Sequence, residues 1–167
     1  EIHLKIEALI PDDYVPDPKQ RMNLYKKLSK ASNQNDIDET EDEIIDLYGK
    51  QPLEVVQLIS LMRIRFQMKE LGLLKLDYAP RELMFSFAPE PKIDPARFIQ
   101  FVQDDPRMRL IPGDRFGYKL TNDEIDQRID VCFKILGRLK GIMETEDGPT
   151  GYAMKNSPEK RFVIRRG

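Results

Sequence analysis

The residues of this chain that could do chemistry are few and scattered. Two adjacent acid pairs, Asp12-Asp13 and Asp104-Asp105, lie in segments with turn character, and paired carboxylates can hold a divalent ion. Both pairs stand close to prolines, where acids commonly serve as turn residues, and neither has further ligands of its own. The single histidine, His3, falls on the exposed side of a predicted strand. The single cysteine, Cys132, falls on the apolar side of a predicted helix, where a thiol is inert. No G-x-x-x-x-G-K-[ST] run and no glycine-rich dinucleotide fingerprint is present. No nucleophile sits in a recognisable context. The expectation is a protein that is not an enzyme and has no cofactor.

One further constellation is electrostatic. Glu39, Asp42, Glu43 and Asp46 share a side of a predicted helix and form an acidic ridge. On spacing alone the ridge reads as a solvated face, with acids favoured toward the positive end of the helix dipole. Near the C-terminus, Lys160, Arg161, Arg165 and Arg166 flank Phe162, which could stack on a base. Basic chain ends of this kind are common, so the signal is weak.

The elements that must position these residues centre on 36–72. Ile37, Ile44, Ile45 and Tyr48 mark the inner face of one helix. Gly49 stands where a C-terminal cap belongs, and Pro52 where the first turn of the next helix belongs. That second helix is apolar nearly all round, from Leu53 to Leu71, which predicts a core helix buried on most sides. Upstream, Ile2, Leu4, Ile6, Ala8 and Ile10 alternate with polar residues and predict a half-buried strand. Asp17-Pro18 opens a helix to about Ala31, with Met22, Tyr25 and Leu28 inward. After Gly72 the apolar period changes to two. Strands are predicted at 73–78 and 83–87, with a turn at Pro80-Arg81. Asp94-Pro95 starts a short helix carrying Phe98, Ile99, Phe101 and Val102. A hairpin follows around Pro112-Gly113-Asp114. Thr121 to Glu124 form a capping-box pattern ahead of a long helix with Ile125, Ile129, Cys132, Phe133, Leu136, Leu139 and Met143 at core spacing.

The fold class is therefore α+β: an N-terminal strand and a helical hairpin, packed with a small antiparallel sheet and a long C-terminal helix. The expected domain is 1–143, its helical half about 17–72 and its strand-containing half about 73–143. Residues 144–167 are expected to be a linker and basic tail. With 167 residues, 34% charged and a net charge of −2, the chain is long enough for a core and is no obvious nucleic-acid binder as a whole. One cysteine excludes an internal disulfide and agrees with a reducing, cytoplasmic setting. No run is apolar enough for a membrane span, and no signal pattern is present. The chain begins in strand-like sequence without an initiator Met, so a piece of a larger protein is expected.

Several runs together resemble a known family. Ile10-Pro11-Asp12-Asp13-Tyr14-Val15-Pro16-Asp17, then Arg21, then Tyr25-Lys26-Lys27-Leu28, are similar to the opening of the C-terminal domain of the bacterial transcription-repair coupling factor. The likeness continues through Glu43 to Gly49, Pro52 and Leu71-Gly72-Leu73, and covers roughly 4–143. That family is an ATP-driven DNA translocase that displaces stalled RNA polymerase and recruits excision repair through UvrA. The resemblance implies that the motor lies elsewhere and that this domain is regulatory. It would dock on the UvrB-like N-terminal module, mask the UvrA-binding surface and restrain the motor. The family's docking positions fall here on Glu43, Asp46 and Leu47, where Leu47 replaces the usual Arg and loses a cross-interface salt bridge. The resemblance therefore gives the ridge a partner that its spacing does not. The competing readings are a nucleic-acid binder using the tail and a metal-dependent hydrolase using the acid pairs.

Overall fold

A computed structural model describes residues 1–146 of the chain. The readings placed on 147–167, the basic tail among them, lie outside the described residues. The helical half contains α1 (Pro18–Lys30), α2 (Gln34–Tyr48) and α3 (Leu53–Glu70). The other half contains β2 (Leu73–Ala79), β3 (Glu82–Phe87), α4 (Pro95–Gln103), β4 (Met108–Ile111), β5 (Arg115–Lys119) and α5 (Arg128–Glu146). The N-terminal strand β1 (Ile2–His3) joins this second half as the edge of a five-stranded sheet, ordered β1-β2-β3-β5-β4. The β2 to β5 pairings are antiparallel as expected, but β1 runs parallel to β2, so the sheet is mixed.

The local start signals act as their chemistry predicts. Asp17 accepts the Lys19 N–H and Asp94 accepts the Arg97 N–H, each with proline in the first turn of the helix behind it. Gly49 has φ +83 at the end of α2, a conformation that costs a side chain strain. Pro52 precedes the first turn of α3 as its cap residue instead of sitting within it.

Other expectations need correction. The strand read across 2–10 pairs only at Ile2 and His3. Lys5, at φ +55, turns the chain out of the extended conformation that a ladder needs. The alternation still holds for burial, with Leu4 and Ile10 in the core. Arg128 replaces the missing ladder: its guanidinium donates to the Leu4 carbonyl at 3.0 Å and the Lys5 carbonyl at 3.1 Å, and stacks over Tyr78. In α1 Leu24 and Leu28 are buried and Tyr25 packs half-buried against the same core, while Met22 is exposed. Ile45 and Ile99 are also exposed. At the capping-box sequence, Glu124 does accept the Thr121 N–H, at 2.9 Å. The chain there forms successive i to i+3 turns, however, and α5 begins only at Arg128.

The apolar circumference of α3 has a specific cause. Val55, Leu58 and Ile59 pack into a helical core with Leu24, Leu28, Ile37 and Ile44. One and a half turns on, Ile64 and Met68 pack into a separate core against the sheet, with Phe85, Phe116, Ile135 and Leu139. The two halves of one helix thus serve two cores on different sides. Neither half is buried all round, and Leu53 and Val56 remain exposed.

Candidate interaction surface on the second helix

Seven acids and no basic residue lie in α2. The helix starts at Asn33, whose side chain accepts the Asp36 N–H at 2.9 Å. Hydrogen bonds from the Ser32 N–H and hydroxyl hold the Asp36 carboxyl below the ordinary carboxylate range. Thr40, buried, donates to the Asp36 carbonyl. The C-terminal end is tied to the loop before α1. Tyr14 donates to the Gly49 carbonyl at 2.7 Å and packs against Tyr48. Arg21 donates to the Val15 carbonyl at 2.7 Å, and Tyr25 receives the Ile10 N–H at 2.7 Å. Tyr14, Arg21, Tyr25 and Gly49 are therefore scaffold: they hold the loop and the end of α2 in register.

The acids then divide by what they meet. Asp38 and Glu41 both bind Arg63 of α3, Glu41 at 2.5 Å. Glu39 accepts from Asn35 on its own helix. Of the three positions marked by the sequence, Glu43 is ion-paired to Lys27 of α1 at 2.5 Å. Asp46 and Leu47 are exposed, Leu47 at 62%. Among the described residues, neither Asp42 nor Asp46 has an ion-pair partner. The surface is an acidic helix face, partly neutralised along its α1 and α3 flanks and open at Asp42, Asp46 and Leu47. The Lys27 and Arg63 partners were not anticipated, because nothing local in the sequence marks which side chains cross between helices.

The other candidate groups are committed to structure. Asp105 accepts the Arg107 N–H at 3.0 Å and Arg138 at 2.9 Å. Burial opposes its charge, but these bonds outweigh burial and keep its carboxyl below the ordinary range. Arg107 binds Glu124 at 2.5 Å and the Tyr118 hydroxyl, and chiefly through that Arg107 bond the Glu124 carboxyl is lowered to about 2. Burial pushes the Cys132 thiol up to about 12, which leaves it protonated and unreactive. His3 is exposed beside Asp77. Asp12 and Asp13 are exposed in the turn closed by the Tyr14 and Val15 N–H groups on the Pro11 carbonyl. Among the described residues no group of three or more His, Cys, Asp or Glu is placed to hold a metal ion, and no helix is long and apolar enough to cross a membrane.

Comparison with known proteins places this fold in a family. Residues 4–98 match the model of the TRCF domain. The chain belongs to the TRCF domain family. It is 31% identical over 113 residues to the transcription-repair-coupling factor of Escherichia coli, covering 68% of this chain and 10% of that protein. With the Haemophilus influenzae factor it shares 27% over 135 residues, covering 81% of this chain and 12% of that one. This TRCF domain thus spans about a tenth of the length of these curated relatives. Among solved structures, the crystal structure of a C-terminal domain of transcription-repair coupling factor superposes with a TM-score of 0.74 at 17% identity. It covers 87% of this chain and 94% of that one, so the TRCF domain fold is shared almost throughout.

Proposed function

We propose that this TRCF domain is the non-catalytic regulatory part of a cytoplasmic transcription-repair coupling factor. The face of α2 bearing Glu43, Asp46 and Leu47 docks on basic residues of the UvrB-like N-terminal module. Docking masks the UvrA-binding surface and restrains the ATP-driven translocase until the protein engages RNA polymerase on DNA. The observation that carries this reading is a helix with seven acids and no base, whose Asp46 and Leu47 stand free in solvent. A single exposed pair is worth little, but several pairs between tethered modules act at high effective concentration. Leu47 contributes packing where the family pattern has a charge.

The test is Glu43→Lys with Asp46→Lys in the full-length coupling factor. UvrA pull-down and basal ATPase should both rise, with the circular dichroism of this domain unchanged. A normally folded variant that changes neither would make the ridge a solvated face.

A further inference from the structure

A second surface, independent of the α2 ridge, runs between α1 and α3. Two concavities of about 300 Å³ and about 280 Å³ share Leu28, Ser29, Met62 and Arg65, so they form one continuous groove. Along α3 the groove extends from Leu58 to Lys69, about 16 Å at the rise of an α-helix, or three turns. Its apolar lining includes Met22, Tyr25, Met62 and Phe66. Met22 is 54% exposed. Phe66 is half-buried and joins neither of the two cores. Flexible methionines beside aromatics suit a surface that moulds itself to an incoming apolar side chain.

The rim is cationic. Lys26, Arg65 and Lys69 border the groove, and among the described residues none of them forms an ion pair. Among the described residues Arg65 reaches only the Ser29 carbonyl, at 3.4 Å. The bias extends through α1, which has five basic residues and no acid.

We propose that the α1–α3 groove docks an acidic amphipathic helix of a partner protein. The helix lays an i, i+3, i+4, i+7 apolar stripe over Met22, Met62 and Phe66, and its flanking carboxylates meet Lys26, Arg65 and Lys69. Apolar floor and cationic rim together select this chemistry. Nucleic acid would use the cations, but it leaves the methionine floor uncovered and brings phosphates near the acids of α2.

The probe is a fluorescein-labelled helical peptide of about 18 residues, leucine on one face and glutamate on the other. It is titrated into the isotope-labelled chain by anisotropy and amide chemical shifts. Controls are the same peptide with lysine for glutamate, a sequence scramble and a short DNA duplex. The expected result is saturable binding of the acidic peptide alone, with shifts clustered on α1 and α3. Met22→Glu with Arg65→Glu, both at exposed positions, should weaken it about tenfold or more, as loss of an anchor and a rim charge does. The shift map of the unsubstituted chain tests the groove even if that variant misfolds. Absence of saturable binding, shifts confined to α2, equal binding of the lysine or scrambled peptide, or tighter binding of DNA at these residues would overturn the proposal.

Discussion

Around Arg107, charges meet their opposites across elements far apart in sequence. Glu124 and Tyr118 take its guanidinium, its N–H goes to Asp105, and Asp105 in turn holds Arg138. On α2 the same economy stops halfway. Arg63 takes Asp38 and Glu41, and Lys27 takes Glu43, but Asp42 and Asp46 are exposed and have no ion-pair partner among the described residues. The first region joins the loop after α4, β5, the turns before α5 and α5 itself, and uses charge to fix the fold. The second leaves charge where it cannot help the fold, since like charges along a helix cost a few tenths of a kcal/mol per pair.

Acid is the strongest way to separate the two regions. The Glu124 carboxyl sits at about 2, below its ordinary 4.5. Its stabilising contribution is therefore complete above the unfolded value and is lost as pH falls through the folded one. It amounts to up to about 3 kcal/mol, with Asp105 acting in the same direction. Denaturant melts from pH 6 down to about 2 should show this decline. A flat profile would place the network among ordinary surface pairs.

Arg107→Ala should cost roughly 1–3 kcal/mol, because it takes the guanidinium from Tyr118 and leaves Glu124 with only the Thr121 N–H. It should also remove the part of the acid slope that Glu124 contributes through Arg107. Urea midpoints of the variant at neutral and acid pH measure both effects, and an unchanged midpoint would erase the difference between the two regions.

The smallest effect is expected on α2. Asp46→Asn and Asp42→Asn should change stability by no more than about 0.5 kcal/mol, in either direction. Lys27→Met should cost at most about 1 kcal/mol, since both members of its pair are substantially exposed. A larger loss at Asp46, measured by thermal melting, would mean that the open acids are structural after all.

Much of the architecture was legible because it is written locally. Proline after aspartate starts α1 and α4, glycine ends α2, and the change of apolar period at Gly72 marks where helices give way to the sheet. The positions Glu43, Asp46 and Leu47 were reached through resemblance, and the structure puts them on one helix in three different situations: paired, free, and exposed apolar.

Pattern failed where a residue's role depends on what comes to meet it. The alternation through 2–10 predicted burial correctly, since an extended chain sends alternate side chains to opposite sides. Pairing also needs a neighbouring strand, and Lys5 turns away from one. In α1, spacing allowed a stripe through Met22 as readily as one through Leu24. Where α2 and α3 lie decided for Leu24 and left Met22 on the groove. The uniform apolar composition of α3 announced a central helix, but only the packing shows two cores taking its two halves. Lys27 meets Glu43 across 16 positions of chain, and Arg107 meets Glu124 across 17. Hydrophobic period and backbone caps are properties of neighbours in sequence, so the sequence alone determined them. Ion pairs, exposed methionines and open acids are properties of neighbours in space, and tertiary packing decided those.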